Sequence, residues 1–207
     1  MANQNTLVTK AIDKDGPHPD GRRERSRSSR SKIIQAMMDL IVEGDINPSA
    51  AKVAEKAGVG LRSVFRHFDD KESIYNEMNA ILWEAYSPEI NRPFSSDNWR
   101  EQLFELIERR TKVWEKTAPY RLSTSIQRFQ SPALMENYQQ LLKAERKARD
   151  RILPDEVKND SKRERAILLS TSFDTWRLFR HDEGLSNKKT TEVMQQLLRD
   201  ILDQIED

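Results

Sequence analysis

The sequence predicts an all-α protein, and three observations carry that expectation. Apolar residues recur at three- and four-residue spacing along most of the chain, with no stretch of strand-like alternation. Hydrophobic residues are 36% and charged residues 33% of the 207 positions, a balance that suits amphipathic helices with highly charged outer faces. Only six glycines and eight prolines punctuate it, fewer turns than a β-rich fold requires.

Residues 1–21, MANQNTLVTKAIDKDGPHPDG, have no apolar run and are expected to form a flexible arm. Between Arg22 and Lys32 six Lys or Arg residues stand against one Glu, with serines between the charges. Such a run can lie along phosphates or remain a solvated tail. From Lys32 the pattern is helical, with Ile33, Ile34, Met37, Met38 and Ile41 on one stripe and Gly44 where a C-terminal cap belongs. Asn47-Pro48 reads as an N-cap followed by proline at the first helical position. The short helix that follows turns Ala50, Val53, Ala54 and Ala57 inward, and Gly58 breaks it. A helix of about two turns then covers Leu61 to Phe68, with Val64 inward and Phe65 inward or partly so.

Asp69 or Asp70 can cap a fourth helix; with Asp69 as cap, Glu72 completes a capping box. That helix runs through Ile74, Tyr75, Met78, Ile81, Leu82 and Tyr86 to Pro88. Further helices are expected with breaks at Pro88, Pro93, Pro119, Ser131-Pro132, Pro154 and Gly184. Their stripes are Trp99–Trp114, Leu134–Ile152, Ala166–Trp176 and Val193–Ile205. The run KAERKARDR, Lys143 to Arg151, pairs opposite charges four apart at Glu145–Arg149 and Arg146–Asp150, which suits a solvated, salt-bridged face.

Two short helices joined by a tight glycine turn make a helix-turn-helix, in which the second helix enters the major groove of DNA. Small residues at Val53 and Ala54 allow close packing, Gly58 supplies the turn, and Val59 plugs the angle between the helices. That arrangement leaves Leu61, Arg62, Ser63 and Arg66 outside.

The run IIQAMMDLIVEGDINPSAAKVAEKAGVGLRSVFRHFDDKESIY resembles the N-terminal domain of TetR-family transcriptional regulators, matching its VAEKAGV turn, aromatic-x-His-Phe segment and Lys-Glu before an apolar residue. The resemblance implies a DNA-binding domain over residues 22–70 and a helical ligand-binding and dimerisation domain over residues 71–207. It places Leu61, Arg62, Ser63 and Arg66 at base edges and Ser49, His67 and Lys71 at phosphates, joined there by Arg25 and Arg27 of the basic arm. It further implies a homodimer through the last two helices, a double-stranded DNA operator, and a small-molecule effector that releases a repressor. Trp83, Tyr86, Phe104, Trp114, Phe129, Phe173 and Trp176 are the candidates for the effector pocket. Phe65 stands where the family commonly has tyrosine, Gly60 where it has a serine or threonine cap, and Pro48 where threonine is frequent. These departures shift phosphate binding onto Arg62, Arg66, Lys71 and the basic arm, and they favour the rival reading of a helical sensor or interaction protein without DNA binding.

No catalytic residue and no cofactor is expected, because no nucleophile–base pair or phosphate loop can be placed. There are no cysteines, and the three histidines, His18, His67 and His181, are scattered, so no metal site is expected either. No apolar stretch is long enough to span a bilayer, and the expected location is the cytoplasm.

Overall fold

A computed structural model describes residues 21–205, with side chains from residue 26 onward. The 1–21 arm, apart from Gly21, and the side chain of Arg25 fall outside the described residues. The described residues are helical and hold no strand. Two compact units share them, one made of residues up to 87 with 117–138, the other of 88–116 with 139–207.

In the first unit, α1 spans Gly21–Val42, α2 Ala50–Ala57, α3 Leu61–His67 and α4 Lys71–Ile90. The basic run is therefore the first part of α1, where a helix was expected only from Lys32. Ile33, Ile34, Met37, Met38 and Ile41 are all 2% exposed or less, as their spacing predicts. They form one core with Val53, Ala54, Val64, Phe68, Ile74, Tyr75, Met78 and Ile81, joined by Tyr120 and Leu134. A fully buried aliphatic side chain contributes about 1.5–3 kcal/mol, so this shared core is what holds the short helices α2 and α3 in place.

One cap differs from the sequence reading, and a second settles an alternative that it left open. Ser49, not Asn47, caps α2: its Oγ accepts from the Lys52 amide at 3.3 Å, and Pro48 stands outside the helix. Asp70, not Asp69, caps α4, because its Oδ1 accepts both the Ser73 amide at 2.7 Å and the Ser73 hydroxyl at 2.6 Å. A carboxylate in reach of two donors outcompetes the capping box that Glu72 would complete.

The remaining helices are α5 (Trp99–Gln127), α6 (Pro132–Asp150), α7 (Asp155–Asn159), α8 (Ser161–Ser170), α9 (Phe173–Arg177) and α10 (Asn187–Leu202). A π-helical turn, Leu178–Asp182, follows α9 directly. The breaks at Ser131-Pro132, Pro154 and Gly184 appear where expected, and Ser131 Oγ accepts the Leu134 amide at 3.1 Å as a cap for α6. Pro88 and Pro119 do not end their helices: α4 continues to Ile90 and α5 to Gln127. A proline costs its helix one hydrogen bond, about 3 kcal/mol in the interior. At Pro119 the buried neighbours Ala118 and Tyr120 hold the helix through the defect; at Pro88 only the last turn is affected.

Buried guanidinium groups organise the second unit. Arg109, 1% exposed, donates to the carbonyls of Arg92 and Pro93 and to Glu105, with Phe94 4.3 Å beneath its plane. Arg110 donates to the Thr171 and Glu145 carbonyls at 2.8 and 2.7 Å. Arg149 is wholly buried and pairs with Asp150 and Glu164, so the KAERKARDR segment is not a uniformly solvated face as expected. Leu169 and Leu197, assigned to inward stripes, are instead exposed, at 64% and 39%.

Candidate nucleic-acid interface

α2 ends at Gly58, whose φ of 64° is left-handed and whose amide closes back on the carbonyls of Ala54 and Glu55. A side chain there would meet no neighbour, so the backbone conformation alone calls for glycine. The Val59 amide also reaches the Ala54 carbonyl, at 3.0 Å, and Val59 packs against the core as the plug its position suggests. α3 starts at Leu61 after Gly60, which offers no side-chain cap.

α3 is amphipathic in a simple way. Val64 and Phe68 are each 2% exposed and anchor it from behind. Leu61, Arg62, Phe65 and Arg66 face outward, while Ser63 and His67 are half-buried at the edges. Ser63 is tied into this face by Arg66, whose Nη2 donates to its Oγ at 3.4 Å. Phe65 departs from expectation: it is 55% exposed rather than turned inward. Its position follows from the helix period, since Val64 and Phe68, four apart, fill the buried side and place Phe65 one residue round from it.

The phosphate candidates surround this face unequally. Ser49 sits at the first turn of α2, and Lys71 opens α4. The Lys71 ammonium donates to Asn47 Oδ1; partial burial lowers its pKa, and the charge of Asp45 opposes that shift. Asp45 itself is held by Lys52 at 2.7 Å, which lowers its carboxyl pKa through that hydrogen bond. His67 has its Nε2 buried without a hydrogen-bond partner, and burial, followed by the charges of Arg66 and Arg30, lowers its pKa below the ordinary value. A neutral imidazole at physiological pH can donate a hydrogen bond to phosphate but brings no charge. Arg27 lies half-buried on α1, within the helical basic run.

Arg30 is a positioning residue that the sequence reading did not single out. Its Nη1 donates to the His67 carbonyl at 2.5 Å, its Nε donates to Glu77 Oε1 at 3.1 Å, and its guanidinium lies 4.3 Å over the Phe68 ring. One side chain of α1 thus satisfies the C-terminal end of α3 and ties it to α4. The basic run hid it among five other cations of equal apparent standing.

The seven aromatic pocket candidates fall into both units. Trp83 and Phe129 of the first are 50% and 73% exposed, and Tyr86 is half-buried. In the second, Trp114, Phe173 and Trp176 come together: Phe173 stacks on Trp176 at 5.5 Å between centroids, and Trp114 meets Phe173 edge-on at 5.7 Å. Phe104 has the Arg199 guanidinium 5.5 Å from its ring centroid.

Residues 33–78 match the sequence profile of "Bacterial regulatory proteins, tetR family". Among solved structures, the chain is similar to a protein from Mesorhizobium loti MAFF303099 described as a TetR-family transcriptional regulator. The two share 19% identity at a TM-score of 0.55, over 86% of this chain and 97% of that one. A likeness at that identity establishes the fold. A comparison with curated protein sequences finds no match.

Proposed function

For a chain that belongs, by its N-terminal module, to the tetR family of bacterial regulatory proteins, we propose the role of a sequence-specific DNA-binding transcriptional regulator. The observation that carries this reading is the outward face of α3, where two guanidinium groups stand beside two large apolar side chains on a helix anchored by Val64 and Phe68. Arg62 and Arg66 are one helical turn apart, and an arginine that reaches guanine O6 and N7 discriminates against the wrong base by about 1–3 kcal/mol. Lys71, Ser49 and a neutral His67 supply contacts to the backbone that carry no sequence information.

The functional division assigns residues 22–70 to DNA binding and residues 71–207 to effector binding and dimerisation. A homodimer through the last helices brings two copies of α3 to successive major grooves. Exposed Leu169 and Leu197, on α8 and α10, support that pairing, because a monomer would leave them in water. The aromatic group of Trp114, Phe173 and Trp176 is the apolar wall an effector would meet. Effector binding then releases a repressor from its operator, at a coupling free energy of the usual ~1–3 kcal/mol. The role is that of a non-enzymatic protein of the cytoplasm; no helix among the described residues is long and apolar enough to cross a membrane.

In vitro selection with the full chain from a random duplex library tests the reading. Enrichment of a near-palindromic site is expected. Arg62→Ala and Arg66→Ala should relax the preference at single positions, and Lys71→Ala should weaken all sites alike. A chain that enriches no sequence would support the rival, a helical sensor that does not bind DNA.

A further inference from the structure

Leu61 and Phe65 are 45% and 55% exposed, the two largest apolar surfaces on α3, and they stand one turn apart on the same side of it. Beside them runs the second outward stripe, Arg62 and Arg66. Neither apolar residue holds the module together, since Val64 and Phe68 fill that role from the opposite side. Two bulky side chains kept in water on a seven-residue helix call for an apolar partner.

On the floor of the major groove, the thymine C5-methyl is the apolar group that base edges offer. We propose that Leu61 and Phe65 form a specificity-determining pair that reads thymine methyl groups next to the guanines bound by Arg62 and Arg66. The proposal rests on the DNA-binding reading above and adds the base type that its apolar stripe selects. Four residues of helix rise about 6 Å, or roughly two base-pair steps, so the pair spans two thymines when α3 lies along the groove. Phe65 thereby acquires a role in base recognition, with no hydroxyl needed for a phosphate.

The test uses the duplex recovered by in vitro selection and a second duplex carrying deoxyuridine in place of each half-site thymidine. That exchange removes the methyl groups and leaves every hydrogen-bonding group unchanged. The wild-type chain should bind the deoxyuridine duplex more weakly, by about three- to fivefold per contacted methyl. Phe65→Ala and Leu61→Ala should each lose part of that difference, and the double variant should bind both duplexes equally. Because both side chains are exposed, thermal melting of the variants should stay close to wild type, which separates a reading defect from a folding defect.

Equal wild-type affinity for the two duplexes overturns the proposal and leaves DNA binding standing. A methyl effect that survives intact in the double variant overturns it as well, since other residues then read the thymines. Failure of the selection to enrich any sequence removes the DNA-binding reading and the proposal together.

Discussion

Arg30 and Glu77 form a fork-like pair, with both Nε and Nη2 of the guanidinium donating to the two carboxylate oxygens. The same guanidinium donates to the last carbonyl of α3 and covers Phe68. α1, α3 and α4 are therefore fixed to one another at the point where α3 ends.

Arg30→Ala should destabilise the N-terminal module by about 1–2 kcal/mol, less than a fully buried network because the pair is partly exposed. Arg30→Lys should recover little of it, because an ammonium cannot donate in two fixed parallel directions and also stack on Phe68. Thermal melting checks both variants, and wild-type melting of Arg30→Ala would contradict the assigned role.

Tyr75 Oη lies 2.9 Å from Ser123 Oγ, and that serine reaches the Ile46 carbonyl at 2.7 Å. This buried chain joins α4 and the end of α5 to the loop between α1 and α2. Ser123→Ala leaves the tyrosine hydroxyl with only a 3.5 Å contact to Ile46, so a loss of about 1–3 kcal/mol is expected. Hydrogen exchange should show the same variant opening the 43–49 loop. Protection unchanged from wild type there would show that the contact is dispensable.

Gly58→Ala should cost about 1–2 kcal/mol from backbone conformation alone, since the position is left-handed and no neighbour stands in the way of a methyl. Gly58→Asn should cost less, because asparagine tolerates that region better. Chemical denaturation of the two variants gives the comparison, and equal costs would contradict a backbone origin for the loss.

Glu105 predicts the acid behaviour of the second unit. Hydrogen bonds from the Ser95 amide, from Arg109 and from the Ser95 hydroxyl hold its carboxyl at a pKa of about 2, against an ordinary value of 4.5. A carboxyl depressed by folding contributes stability that is complete above its unfolded pKa. That contribution is lost as pH falls from about 4.5 through about 2. Glu105→Gln should therefore be less stable at neutral pH and should lose less stability across that acid window. Parallel wild-type and variant curves would contradict the assignment.

Much of the first unit was legible because one physical rule sets it. The spacing of Ile33, Ile34, Met37, Met38 and Ile41 predicts their burial, and Gly58 announces its own turn. The caps were harder, since Asn47 and Ser49, or Asp69 and Asp70, offer the same oxygen within one or two residues. Only the path of the chain decides which meets an amide. Phe65 was misplaced because apolar character argued for burial while the period of α3 had already filled the buried side. Arg30, Arg109 and Arg149 were invisible as structural residues: in sequence each reads like any solvated arginine, and each has a partner that only folding brings in, Glu77, the Pro93 carbonyl and Glu164 respectively. The second unit's stripes suffered for the same reason, with Leu169 and Leu197 facing out while Arg109 and Arg149 face in.

If α3 and its flanking cations bind duplex DNA, affinity must fall with salt. An anisotropy titration of the full chain on the selected duplex, repeated from about 50 to about 200 mM salt, tests it most directly. A linear fall of log affinity with log salt is expected, steep enough for several released counterions, with a shallower slope for Lys71→Ala. A flat response would contradict it.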